Sequence, residues 1–201
     1  MVSIKHRYTG VEYKTVTRFS VKFKDVFILE DLYVLMYEWL VERGFATRVD
    51  ADFPERYYLD RTGPAGKEVW IRWRPKRHPI PGNKFWRFDL DIDMHVLGLK
   101  DVELVVQNKK VKANKGEVEV QVAANLIYDA SGEWKKSALL KPFRNFYFKR
   151  FLSKKKDMIE KELYNEAYEF RDAINYYLQL ETYLPSKMAG FEFWPKRTPE
   201  Q

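Results

Sequence analysis

Three aspartates stand at alternate positions in the stretch Phe85 to Leu97: Asp89, Asp91 and Asp93, with Arg87 before them and His95 after. Phe88, Leu90, Ile92, Met94 and Val96 fill the places between. On a strand successive side chains point to opposite faces, so the acids share one face and the apolar residues the other. Same-face neighbours stand roughly 6.5 to 7 Å apart, near enough for two carboxylates to hold one hard cation such as Mg²⁺ or Mn²⁺ for phosphoryl transfer. The preferred reading is plainer. Acids on a sheet face pair with arginines of a neighbouring strand, here Arg72 and Arg74, each pair contributing about 0.2 to 1 kcal/mol. His95, beside Asp93, reads as a hydrogen-bonded structural histidine.

The string Phe88-Asp89-Leu90-Asp91-Ile92 resembles the hydrophobic-Asp-hydrophobic-Asp strand of archaeo-eukaryotic primases and other nucleotidyl transferases. That resemblance implies a divalent-metal-dependent phosphotransfer role for Asp89, Asp91 and Asp93. It covers five residues. The Ser-x-His element and the later acidic strand of such primases are not found in the chain, nor is the glycine-serine phosphate loop of the other nucleotidyl-transferase superfamily.

A second constellation is basic. Between Ser131 and Lys156 lie Lys135, Lys136, Lys141, Arg144, Lys149, Arg150, Lys154, Lys155 and Lys156, against the single acid Glu133. This surplus exceeds the net charge of the whole chain, +7. Trp134, Phe143, Phe146, Tyr147, Phe148 and Phe151 are interleaved with the charges. Nucleic acid suits such a mixture, because cations displace counterions from phosphates and aromatics stack on unpaired bases. An anionic membrane surface would take it too, and ranks last. In the plain alternative the aromatics pack under the sheet and Lys154 to Lys156 face Glu160 and Glu162 on the same helix. Arg72, Arg74, Lys76 and Arg77, set among Trp70, Trp73 and Trp86, would extend a basic-aromatic surface if they lay nearby.

The third feature is the Pro-punctuated segment Pro185 to Gln201, which carries Phe191, Phe193 and Trp194. Aromatics there dock either on the chain's own core or in a partner, where such residues dominate interface energetics. Other chemistries find no support. The chain has no Cys and three His without a His-x-x-x-His pair, which removes structural zinc, and it lacks a Gly-x-Ser-x-Gly elbow. Gly63-Pro64-Ala65-Gly66-Lys67 has its glycines too close together for a phosphate loop.

Elements must position these residues. Val11, Tyr13, Thr15, Thr17, Phe19, Val21 and Phe23 alternate with mostly charged residues, predicting one strand with a single apolar face. Ile28 to Arg43 predicts a helix whose face is Leu29, Leu32, Met36, Trp39 and Leu40, stopped by Gly44. Val34, Leu35 and Val41 lie elsewhere on it and predict cover on more than one side. Arg56 to Asp60 and Lys67 to Arg74 read as a hairpin around Gly63 to Gly66. Further strands are expected at Phe85 to Leu97, Val102 to Gln107, Val111 to Ala113 and Glu117 to Tyr128. A helix follows over about 143–183, with Leu163, Ala167, Phe170, Ile174 and Tyr177 on one face and either a break near Ser153 or an end projecting past the sheet.

At 201 residues, 45% hydrophobic and 32% charged, the chain can bury roughly 70% of its unfolded surface and is neither disordered nor collagen-like. Its pI is near 9.3. The apolar runs Val26 to Leu29 and Leu32 to Val41 are too short to span a membrane, and the first residues lack a signal-peptide pattern, so a cytoplasmic location is expected. The element order predicts α+β: an antiparallel, curved sheet of about six or seven strands packed on the first helix and the long C-terminal helix, an order similar to the helix-grip fold. Residues 1–184 are expected to form one domain and 185–201 a tail. The expected function is a non-catalytic structural or assembly module, with a protein partner or copies of itself held through the long helix and aromatic tail. Nucleic-acid binding through 134–156 and Mg²⁺- or Mn²⁺-dependent phosphotransfer are the alternatives; no other cofactor is expected.

Overall fold

A computed structural model describes residues 8, 11–49, 52–106, 109–132 and 153–183. Six strands, β1 (Glu12–Phe27), β2 (Glu55–Gly63), β3 (Gly66–Trp73), β4 (Lys76–Arg77), β5 (Trp86–Val106) and β6 (Lys109–Tyr128), form one open antiparallel sheet in the order β1-β6-β5-β3-β2, with β4 paired to β5. Helices α1 (Leu29–Glu42) and α2 (Ser153–Tyr183) complete an α+β architecture. The core lies between helices and sheet. Phe88, Leu90, Ile92, Met94 and Val96 of β5 sit opposite Leu126, Ala124, Val122, Val120 and Val118 of β6, and all ten belong to one buried cluster with Ile159, Leu163, Ala167, Phe170 and Ile174 of α2. Burying a large apolar side chain in this way contributes about 1.5 to 3 kcal/mol, so this face holds the layers together.

The helix ends follow from local chemistry. Glu30 and Asp31 occupy the first turn of α1, where the helix dipole favours acids. At its other end Gly44 adopts φ 71°, and the amides of Gly44 and Phe45 donate to the carbonyls of Val41 and Leu40. That is a Schellman stop, and its apolar contact is supplied by Phe45 and Leu40, both buried. Leu32, Met36, Trp39 and Leu40 face the core as the spacing predicted, and Leu35 packs against it. Val34 is 49% exposed, so cover does not extend round that side.

The single-faced reading of β1 does not hold. Its register against β6 shifts between Thr15, opposite Asn125, and Thr17, opposite Ala124, leaving Val16 as an extra residue. Such a bulge exchanges the two faces, because side-chain direction depends on parity along the strand. Phe19, Val21 and Phe23 pack with the core, whereas Tyr13 and Thr15 turn to the opposite face.

The strands expected at 85–97 and 102–107 form one strand, as do those at 111–113 and 117–128. A second bulge makes the continuity possible. The pairing of β5 with β6 shifts between Leu97 and Lys100, where Gly98 takes φ 63°. Gly66, at the start of β3, packs against this point so closely that a Cβ there would stand 2.8 Å from the Gly98 carbonyl carbon.

The long helix is described over Ser153–Tyr183, 31 residues that span about 46 Å, and the expected stretch 143–152 lies outside the described residues. Lys135, Lys136, Lys141, Arg144, Lys149 and Arg150 lie outside the described residues, as do Phe191, Phe193 and Trp194. Among the described residues no helix is long and apolar enough to cross a membrane.

Candidate functional site

On the sheet face away from the helices the three aspartates meet arginines. Asp89 is fully buried and receives Arg87 through two bonds, Nε to Oδ1 at 2.6 Å and the second guanidinium nitrogen to Oδ2 at 3.0 Å. Arg74 lies between the other two acids, 2.6 Å from Asp93 and 3.4 Å from Asp91, and also donates to the backbone carbonyls of Trp73 and Ile92. Arg72, opposite Asp93 in the ladder, stands 3.8 Å from the same carboxylate and places its guanidinium over the Tyr57 ring. Three arginines thus face three aspartates. The cross-strand pairing of these acids with Arg72 and Arg74 is what the sequence pattern favoured.

Asp91, 2% exposed, is tied into a polar network that reaches Tyr8, β6 and β1. Its Oδ2 accepts the Tyr8 hydroxyl and the Asn125 amide, each at 3.0 Å, and the Asn125 amide also donates to Tyr8. Thr15 then donates to the Asn125 carbonyl oxygen at 2.7 Å. The Val16 bulge makes this possible, because it turns Thr15 to the acidic face. Burial of charge on this scale persists where partners and hydrogen bonds compensate the lost hydration.

Further along the same face Trp70 and His95 stack with ring centroids 3.5 Å apart. Glu68 holds both, accepting the Trp70 indole N–H at 2.9 Å and lying 3.0 Å from His95 Nε2. The His95 and Trp70 hydrogen bonds hold the Glu68 carboxyl below its usual range. His95 is thereby a bridging residue between β3 and β5.

Chemically the face is a ladder of ion pairs. Among the described residues no group of three His, Asp or Glu side chains is arranged to hold a metal ion. A hollow of about 310 Å³ beside Arg87 is lined by His78, Asn83, Lys84 and Ser131. His78 engages the Trp86 carbonyl and Asn83 accepts the Phe85 amide, so the hollow brings few uncommitted groups together. Of the basic segment, Lys154 and Lys155 are exposed, while Lys156 stands 3.7 Å from Glu160 and 5.4 Å from the centre of the Tyr128 ring.

The two sheet edges differ. Strand β1 displays Lys14, Arg18, Lys22 and Lys24 on its exposed positions, charges that discourage pairing with another strand. Strand β2 is exposed from Arg56 to Thr62 and presents Tyr57, Tyr58 and Leu59 at 42%, 53% and 39% exposure. Tyr57 and Leu59 share the face of Arg72 and Trp70, their partners on β3, and Tyr58 lies on the other.

Tyr8, Thr15, Glu68 and Asn125 escaped the sequence reading. Asn125 left a trace: Ala123, Ala124, Leu126 and Ile127 surround it with apolar residues on both faces, the pattern of a strand covered on two sides. No family model, curated protein or solved structure matches the chain.

Proposed function

We propose that this chain is a non-catalytic structural module that works by protein assembly, as its composition and lack of a catalytic constellation suggested. The observation that carries the reading is the β2 edge: seven consecutive exposed residues with three large apolar side chains at their centre, ending an otherwise well-paired sheet. Open edges of this kind template pairing with another strand. The acidic face supports the same reading from the other side. Its carboxylates serve as partners for Arg72, Arg74 and Arg87, so its chemistry is spent on cohesion between β3, β5 and β6. The aromatic residues Phe191, Phe193 and Trp194 would add a second contact.

The test is co-expression of two full-length copies bearing different tags, followed by purification on one tag and washing in high salt. Recovery of the second copy in fixed proportion supports assembly. A singly tagged chain that stays monomeric over a wide concentration range refutes it.

A further inference from the structure

The assembly reading leaves the partner open, and the composition of the β2 edge restricts it. Resting on that reading, we infer that β2 pairs antiparallel with β2 of a second copy of this chain, across a two-fold axis at Tyr58. In that register Arg56 of each copy, the extra residue of a bulge between Glu55 and Tyr57, comes opposite Asp60 of the other, and Tyr57 lies opposite Leu59, each pair occurring twice. Arg56 has no ion-pair partner among the described residues, and Asp60 meets Lys67 through Oδ2. Opposed charges and aromatic-aliphatic pairs are the cross-strand combinations that stabilise sheets.

Backbone geometry selects the same register. The turn between β2 and β3 has two residues, Pro64 and Ala65, and is closed by the pair Gly63 and Gly66. The closing pair of such a hairpin is hydrogen-bonded, and bonding alternates along an antiparallel ladder. Arg61, Leu59 and Tyr57 therefore bond inward to β3, and the backbone groups of Thr62, Asp60 and Tyr58 face outward. Opposing Tyr58 to Tyr58 matches outward groups with outward groups. A shift of one residue brings inward-bonded groups to the seam and sets Arg56 against Arg61, or Glu55 against Asp60. A shift of two loses both ion pairs. An isologous contact of this kind closes on itself, giving a dimer with a continuous sheet and no free β2 edge.

The experiment uses three full-length proteins, wild type, Arg56→Asp and Asp60→Arg, in sedimentation velocity over a concentration series. Arg56→Asp carries acids at both positions and Asp60→Arg carries arginines at both, so each variant alone opposes like charges. An equimolar mixture opposes unlike charges at both. The expected result is a wild-type dimer, at least roughly tenfold weaker self-association in each variant, and recovery of the dimer as a one-to-one heterodimer on mixing. A wild-type dimer that both variants retain undiminished overturns this seam and leaves assembly standing. Variants that dissociate and fail to recover on mixing also overturn it. A monomeric wild type overturns the assembly reading with it.

Discussion

Replacing Asp91 with Asn keeps its shape and removes its charge, and the sign of the stability change separates a cohesive ladder from a metal site. Two donors, the Tyr8 hydroxyl and the Asn125 amide, converge on Oδ2, while Arg74 approaches Oδ1. An amide offers one oxygen, so in either orientation its NH₂ group confronts a donor. Leaving a buried donor unsatisfied costs about 1 to 3 kcal/mol. Loss of a fully buried ion pair would cost about 3 to 5 kcal/mol, but Arg74 retains Asp93 at 2.6 Å and two backbone carbonyls. The expected loss is therefore about 2 kcal/mol, read as a lowered urea midpoint, and about 4 to 8 °C in Tm for a chain of this size. A metal site behaves oppositely: acids gathered without their ion repel one another, so Asp91→Asn would stabilise the protein. Unchanged or increased stability in the variant would refute the ladder, as would a rise in wild-type Tm with Mg²⁺ or Mn²⁺ that the variant lacks.

Three further outcomes follow from the same geometry. Deleting Val16 removes the extra residue and makes Thr15 and Thr17 consecutive opposite Asn125 and Ala124, so the variant should keep both faces and the Thr15 bond to Asn125 and melt close to wild type; a Tm several degrees lower would show that the bulge itself is needed. Arg77 donates to both oxygens of Glu166 at 2.8 and 2.9 Å and to the Arg43 carbonyl at the end of α1, so Arg77→Gln should cost about 2 to 4 kcal/mol at neutral pH. Burial already pushes the Glu166 carboxyl up against the pull of Arg77, and in acid it protonates and the penalty recedes; urea midpoints at two pH values check this. For Glu160 burial acts upward, but hydrogen bonds from Lys14 and Tyr128 outweigh it and hold the carboxyl below its ordinary value of 4.5. A carboxyl lowered in the folded state stabilises above its unfolded value and ceases to as pH falls through the folded one. The difference between wild type and Lys14→Gln in urea should accordingly be present at pH 7 and shrink below about pH 4.

The elements that sequence foretold best were those with one periodicity and one buried face. Leu163, Ala167, Phe170, Ile174 and Tyr177 announced α2 and all five are buried, and Leu32, Met36, Trp39 and Leu40 did the same for α1. The α+β class followed from their order. Bulges defeated the rest, because one inserted residue reverses every later side chain while leaving local composition untouched. Val16 gives no sign in the sequence that it is the extra residue. The acidic strand was legible as a face, and its pairing with Arg72 and Arg74 was legible as chemistry. The third arginine, Arg87, shares the acids' face in the sequence pattern, but its pairing with Asp89 is not legible there, since within one strand an i to i+2 pair is not directly opposed. Tyr8 and Asn125 reach Asp91 from 83 and 34 residues away in the chain, and the pairing of β5 with β6 brings Asn125 there while Tyr8 comes from outside every strand.

The most direct measurement is the solution mass of the full-length chain by light scattering over a hundredfold concentration range, with the 260 to 280 nm absorbance ratio recorded before and after a high-salt wash. Assembly predicts a species at twice 24.2 kDa with the absorbance ratio of protein alone. A mass of 24.2 kDa at every concentration would contradict the account, and salt-removable nucleic acid in the peak would move the working surface from the β2 edge to the basic segment.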